Sequence, residues 1–248
     1  VNVTSVSEQW GVAAISGPKT REVLDQCLED SSVICNDNLP YMGFISANLK
    51  GGIPCKIARI SFSGELGFEI YILADYANKM MDILWNSAKK FDGCLYGLEA
   101  LGALRVEKGH VTGAELDGRT TIDDVGLGKM ASNKKSYVGS AMRKRGVLSA
   151  EDREKLVGFF PVNKKDTFDS GTIICEKNNI KGFGIGRVTS VTHSPELGHW
   201  IGLGFIKGGV EKWKDTIVVG SDPIRNKEME IQVVSPHMID PEGKRLHA

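Results

Sequence analysis

Between Leu156 and Val234 the chain breaks into short apolar segments separated by Gly and Asn-Asn turns, and this pattern constrains the fold more than any other feature. The segments are Leu156–Val162, Thr172–Glu176, Gly182–Ser190, His199–Ile206, Thr216–Val219 and Met229–Val234. Regularly spaced short strands of this kind predict a small barrel or sandwich. Gly182-Phe183-Gly184-Ile185-Gly186 invites a phosphate-loop reading, but that loop must open a helix whose N-terminus meets the phosphate. Here Arg187-Val188-Thr189-Ser190-Val191 continues as strand, so the glycines read as bulges or packing contacts, and Gly202-Leu203-Gly204 reads the same way.

The first part of the chain has a mixed pattern. Trp10–Ile15 reads as a strand. Ser16-Gly17-Pro18 then offers a capping hydroxyl and a first-turn proline for a helix running to about Leu28. Lys56–Leu73 is the clearest hairpin, turning through Ser63-Gly64-Glu65-Leu66-Gly67. Alternation places Phe68, Ile70 and Ile72 on one face of its second strand and Glu69 and Tyr71 on the other. Asp75–Lys90 is an amphipathic helix, Leu98–Val106 a shorter one stopped near Gly109, and Thr112–Met130 a glycine-rich loop. A basic stretch from Lys134 to Lys155 reads as a solvated connector. The expected organisation is α+β, with one region over 1–150 and a β-barrel region over 151–248.

Composition narrows the function classes. Lys plus Arg and Asp plus Glu are 31 each, so the chain lacks the basic excess that drives binding to nucleic acid by counterion release. No apolar run is long enough to span a bilayer, and no basic-then-apolar leader opens the chain, which begins with Val. Five scattered cysteines without a CxxC pair fit buried thiols in a reducing, cytoplasmic setting. None of the five histidines stands at zinc-ligand spacing, so no metal is expected, and GxSxG, GxxxxGK[ST] and HExxH are absent.

Among the acids, Glu69 stands out. It sits mid-strand between Phe68 and Ile70, with Phe62 expected on the hairpin partner. A half-dry carboxylate is an acceptor-only group suited to a ligand edge with two adjacent N–H donors, such as an aminopyrimidinone; the alternative is an ordinary solvent-facing carboxylate. Arg105 and Glu107 are two apart on a helix and so should pair with different neighbours.

Ile60–Ile70, then Gly97 and Leu104-Arg105-Val106-Glu107-Lys108-Gly109, then Lys155–Gly158, Gly186–Ser190, Ser194-Pro195 and Leu197 together resemble the glycine-cleavage aminomethyltransferase family, which binds tetrahydrofolate. The resemblance covers essentially the whole chain. Within the family, Val3–Val6 with Trp10, Tyr96-Gly97 with Glu99, Asp117-Gly118, Lys134-Lys135 and Asp240–Arg245 look like the C-terminal part of heterotetrameric sarcosine oxidase alpha subunits. The implied fold is an N-terminally truncated aminomethyltransferase-like folate-binding fold followed by a small C-terminal β-barrel.

The resemblance implies a cofactor-binding set of Glu69, Phe62, Gly64 and Arg105. Glu69 falls on the family's pterin-binding glutamate and Phe62 on a tyrosine, so the ring is kept and a hydroxyl lost. The family's folate-contacting arginine falls on Leu101, and Arg105 matches a later one. The family's catalytic aspartate would lie upstream of Val1, so no catalytic residue is expected here and the chain alone is expected to be inactive. The implied activity is capture of the one-carbon unit of oxidised sarcosine as 5,10-methylene-tetrahydrofolate, with flavin and NAD on other parts of the complex. The implied partners are the other subunits, the upstream part of the alpha subunit, small-molecule folate, and a second copy covering a bared edge. A stand-alone aminomethyltransferase or demethylase, and a non-catalytic folate-binding or docking module, remain alternatives.

Overall fold

Strand β4 (Gly67–Leu73) organises the first part of the chain, because its alternation gives one wholly apolar face. Phe68, Ile70 and Ile72 are almost completely buried, each such side chain contributing about 1.5–3 kcal/mol over exposure. In a computed structural model, which describes residues 1–180 and 182–248, β4 lies inside a four-stranded antiparallel sheet. Its other strands are β1 (Trp10–Ser16), β2 (Phe44–Leu49) and β3 (Ile53–Ala58), in the order β1-β4-β3-β2. Helices α1 (Thr20–Asp25) and α2 (Ala77–Ala88) supply Val23, Leu24, Met80 and Leu84 to the core beneath that apolar face.

By compactness the chain forms two units, Val1–Leu101 with Glu242–Ala248, and Gly102–Pro241. The division falls inside α3 (Leu98–Lys108). The helix stops at Gly109, whose φ of +79° suits glycine and whose Cβ position would lie 2.4 Å from the carbonyl oxygen of Pro236.

The second unit is built on a closed barrel, which resolves the choice between barrel and sandwich. Strands β5 (Glu154–Pro161), β6 (Ile173–Cys175), β7 (Gly186–Ser194), β8 (His199–Lys207), β9 (Ile217–Asp222) and β10 (Lys227–Val234) close in the order β10-β5-β8-β7-β6-β9. The glycines serve packing as expected. A Cβ on Gly186 would lie 2.2 Å from the Phe205 carbonyl oxygen, and one on Gly204 2.1 Å from that of Arg187. Two short helices complete this unit, α4 (Ser140–Arg143) in the basic stretch and α5 (Gly209–Trp213) after β8.

Three details differ from the sequence expectation. Helix α1 starts at Thr20, not beside Ser16: Ser16 ends β1, Gly17 takes φ +128°, and the Ser16 hydroxyl meets the Tyr96 hydroxyl at 3.1 Å instead of capping a helix. The 56–73 hairpin opens sooner, because Arg59 leaves the β3–β4 ladder and pairs instead with the 42–43 segment, donating to Gly43 O and accepting from Met42 N. That segment leads into β2, a strand the sequence reading leaves as unassigned chain.

Candidate functional site

The face of the first sheet that turns away from its core carries the acid singled out by sequence. Glu69 stands on β4 with Ala14 of β1 and Ala58 of β3 as its cross-strand neighbours, so the smallest side chains flank it. Phe62 is not on the partner strand, as the sequence suggested. It lies in the 59–66 loop and is 42% exposed. The cause is the early end of β3 at Ala58.

Tyr71, two residues on and therefore on the same face, donates its hydroxyl hydrogen bond to Glu69 Oε2. Among the described residues this is the hydrogen bond that the Glu69 side chain makes. The same bond, with burial and the negative charge adding to it, pushes the Tyr71 phenol up to about 12, because ionising it would set two anions against each other. Phe44 of β2 presents an edge-on ring 6.1 Å from that of Tyr71. Lys56, directly opposite Tyr71 on β3, holds its ammonium 5.0 Å from the Trp10 ring centroid and 5.9 Å from that of Phe44. A depression of about 360 Å³ on this unit is lined by Trp10, Ser46, Asn48, Pro54, Lys56 and Leu73. One carboxylate, aromatic rings and a lysine thus share an accessible sheet face.

Gly64 lies in the 59–66 loop with φ +88°. That left-handed backbone conformation is one that glycine adopts without a steric penalty.

Arg105 sits in the second unit and its guanidinium is committed there. It donates to Glu115 Oε2 at 3.1 Å, Ser190 Oγ at 2.7 Å and His110 O at 3.2 Å. Glu107 accepts from Ser194 Oγ, so the two residues pair with different neighbours, as helix geometry requires. Glu115, which the sequence reading passed over, is fully buried and accepts from Thr112, Thr189 and Ser190 as well as Arg105. A register shift between Val188 and Ser190 lets Thr189 and Ser190 both reach the Glu115 Oε1 atom, each at 2.6 Å, although successive residues of a regular strand face opposite ways. The basic stretch is likewise partly paired. Arg143 donates to both oxygens of Asp123 at 2.6 and 2.7 Å, in a basin of about 840 Å³ that Lys134, Lys135 and Lys144 also line.

The comparisons with known proteins agree with this architecture. Residues 1–135 match the GCVT N-terminal domain, and residues 154–240 match the glycine cleavage T-protein C-terminal barrel domain. The chain belongs to the glycine cleavage T-protein family. Among curated members of similar sequence, sarcosine oxidase subunit alpha of Rhizobium meliloti (strain 1021) is 34% identical over 255 residues, covering 100% of this chain and 25% of that protein. The same subunit of Corynebacterium sp. (strain U-96) is 33% identical, with 99% and 26% covered. Aminomethyltransferase of Thermotoga maritima is 29% identical over 214 residues, with 85% and 55% covered. The chain therefore spans about a quarter of the length of the sarcosine oxidase alpha subunits it matches. The crystal structure of aminomethyltransferase T from Bartonella henselae superposes with a TM-score of 0.76 at 21% identity, covering 94% of this chain and 60% of that one, which establishes the glycine cleavage T-protein fold. Among the described residues no helix is long and apolar enough to cross a membrane.

Proposed function

We propose that this chain supplies the tetrahydrofolate site of a sarcosine oxidase alpha subunit, where the one-carbon unit of oxidised sarcosine is captured as 5,10-methylene-tetrahydrofolate. The observation that carries this reading is the 34% identity with a sarcosine oxidase alpha subunit along the whole chain. The aminomethyltransferases match at 28–30%, so a stand-alone aminomethyltransferase is the second reading.

The residues fit a pterin. Glu69 is an acceptor-only group on an accessible face, held by Tyr71 and neighboured by aromatic rings. It would take the adjacent N–H donors of the aminopyrimidinone, with Phe62 packing beside the ring system and Gly64 leaving room for close approach. Arg105, also implied by the family resemblance, is an arginine held rigid by Glu115 and Ser190 within the second unit.

Bound tetrahydrofolate supplies the two amine nitrogens that take up the carbon as glycine leaves. The chain's share is to hold that ligand in one orientation, since fixing reactants in place removes much of the entropic barrier. In this reading the proton-transferring carboxylate, the flavin and NAD belong to other parts of the complex, which works in the cytoplasm with the other subunits as partners.

The test is a calorimetric titration with 5-formyl-tetrahydrofolate, using the wild type and Glu69→Gln. Saturable binding by the wild type, weakened at least tenfold in the variant, supports the reading, a charged acceptor being worth about 1.5–3 kcal/mol. Absence of binding both by this chain and by a longer alpha subunit containing it would falsify the reading.

A further inference from the structure

We propose that Tyr71 is the positioning residue of the Glu69 site, fixing the carboxylate in the orientation it offers to a ligand. For its ligand the proposal rests on the folate reading above; its geometry stands independently.

A glutamate on an accessible sheet face has several rotamers, and its cross-strand neighbours Ala14 and Ala58 are too small to restrict it. The Tyr71 hydroxyl supplies the missing restraint through its bond to Oε2. Tyr71 is itself set between strands, with Val12 of β1 and Lys56 of β3 as its cross-strand neighbours and the Phe44 ring edge-on. Among the described strand residues of this face Lys56 is the other charged one, and its ammonium lies over Trp10 and Phe44. The phenol is thus the group that orders the acid.

Lone-pair arithmetic shows that this bond orders Glu69 without consuming it. An ionised carboxylate offers about four acceptor positions on its two oxygens. Tyr71 takes one on Oε2. Both oxygens still have a free position, so a ligand edge with two adjacent N–H donors can engage Oε1 and Oε2 together. Because the acid is ordered before the ligand arrives, binding avoids the cost of immobilising it then, a cost equivalent to about tenfold in affinity for one flexible side chain.

The experiment uses the full chain and two variants, Tyr71→Phe and Glu69→Gln. Uniform 3-fluorotyrosine labelling lowers every phenol's own pKa, bringing the ionisations into a range the fold survives; there are five tyrosines to resolve by fluorine NMR. The resonance missing in Tyr71→Phe identifies Tyr71. In the wild type it should titrate last, and in Glu69→Gln it should return towards the others. Calorimetry then compares 5-formyl-tetrahydrofolate with its 2-deamino analogue, which lacks one donor. Tyr71→Phe should lose about tenfold for the parent ligand and clearly less for the analogue, a selectivity that general destabilisation would not produce.

A Tyr71 titration unchanged in Glu69→Gln overturns the inference whatever the folate result. Equal affinity of wild type and Tyr71→Phe overturns it as well. No folate binding by this chain or by a longer alpha subunit containing it, with the Glu69-dependent titration kept, overturns the folate reading alone and leaves Tyr71 as the group that orders Glu69.

Discussion

The Glu115 carboxylate, with none of its side chain exposed, lies 3.1 Å from the guanidinium of Arg105, ten residues earlier in the chain. Each half of this pair needs the other. A buried carboxylate without a partner cation, or a buried guanidinium facing a neutral amide, loses interactions that water cannot replace. Glu115→Gln is therefore expected to destabilise the chain by about 3 kcal/mol in urea unfolding.

The same pair sets an acid limit. Burial by itself would raise the Glu115 pKa, but bonds from Ser190, Thr189 and Thr112 and the charge of Arg105 outweigh it, and the net direction is down from the ordinary 4.5. A carboxyl held lower in the folded state stabilises above its unfolded pKa and loses that contribution as pH falls through the folded one. Wild-type stability should therefore decline below about pH 4.5, and the decline should be shallower in Glu115→Gln. Urea midpoints measured from pH 6 to about pH 3 check the sign, and parallel declines would contradict it.

Two barrel glycines should differ in their tolerance of a methyl group. On Gly204 the new carbon would meet the main-chain oxygen of Arg187 at 2.1 Å, and strand backbone cannot step aside. On Gly202 the nearest atom belongs to the Phe168 ring at 2.6 Å, and a ring can shift. Gly202→Ala should cost about 1–3 kcal/mol. Gly204→Ala should cost more or prevent folding, as soluble yield and thermal midpoint would show.

Two phenylalanines in one hairpin should separate stability from binding. Phe68 is 1% exposed and Phe62 is 42% exposed. Phe68→Ala should cost about 3–5 kcal/mol in chemical denaturation. Phe62→Ala should cost clearly less than that, its ring being far more exposed, yet weaken 5-formyl-tetrahydrofolate binding, which calorimetry would detect.

Thiol labelling offers a check on the two cores. Cys35 and Cys94 are exposed, whereas Cys27, Cys55 and Cys175 are buried. Burial pushes the Cys55 thiol up to about 11 and raises Cys27 and Cys175 as well. Two thiols should react promptly with a disulfide reagent in the native protein, and the other three only on unfolding.

Local pattern carried much of the architecture. The six C-terminal strands, the β4 alternation, and helices α2 and α3 were all legible, because period and turn residues act within a few positions. Local capping rules start α1 beside Ser16 because they do not weigh that residue's second option, pairing in β1. Strand β2 gives a weak local signal, its core contribution resting on Ile45, Ala47 and Leu49. Local pattern places Phe62 on the partner strand, but how far a hairpin ladder runs depends on where it opens, and Arg59 opens it through bonds to the distant 42–43 segment.

At the candidate site the division is similar. That Glu69 and Tyr71 share a face followed from strand period alone, whereas their hydrogen bond depends on rotamers set by neighbouring strands. Arg105 was legible as a residue of interest, but its partner was not. The Glu115 cradle is assembled from a loop and from a strand bulge more than 70 residues away. Which faces are apolar, where strands recur and which acid stands on the open face follow from covalent order and side-chain chemistry alone. Which charges neutralise each other and which remain for a ligand emerges from the folded arrangement, since such pairing is a matter of distance in space between residues far apart in the chain.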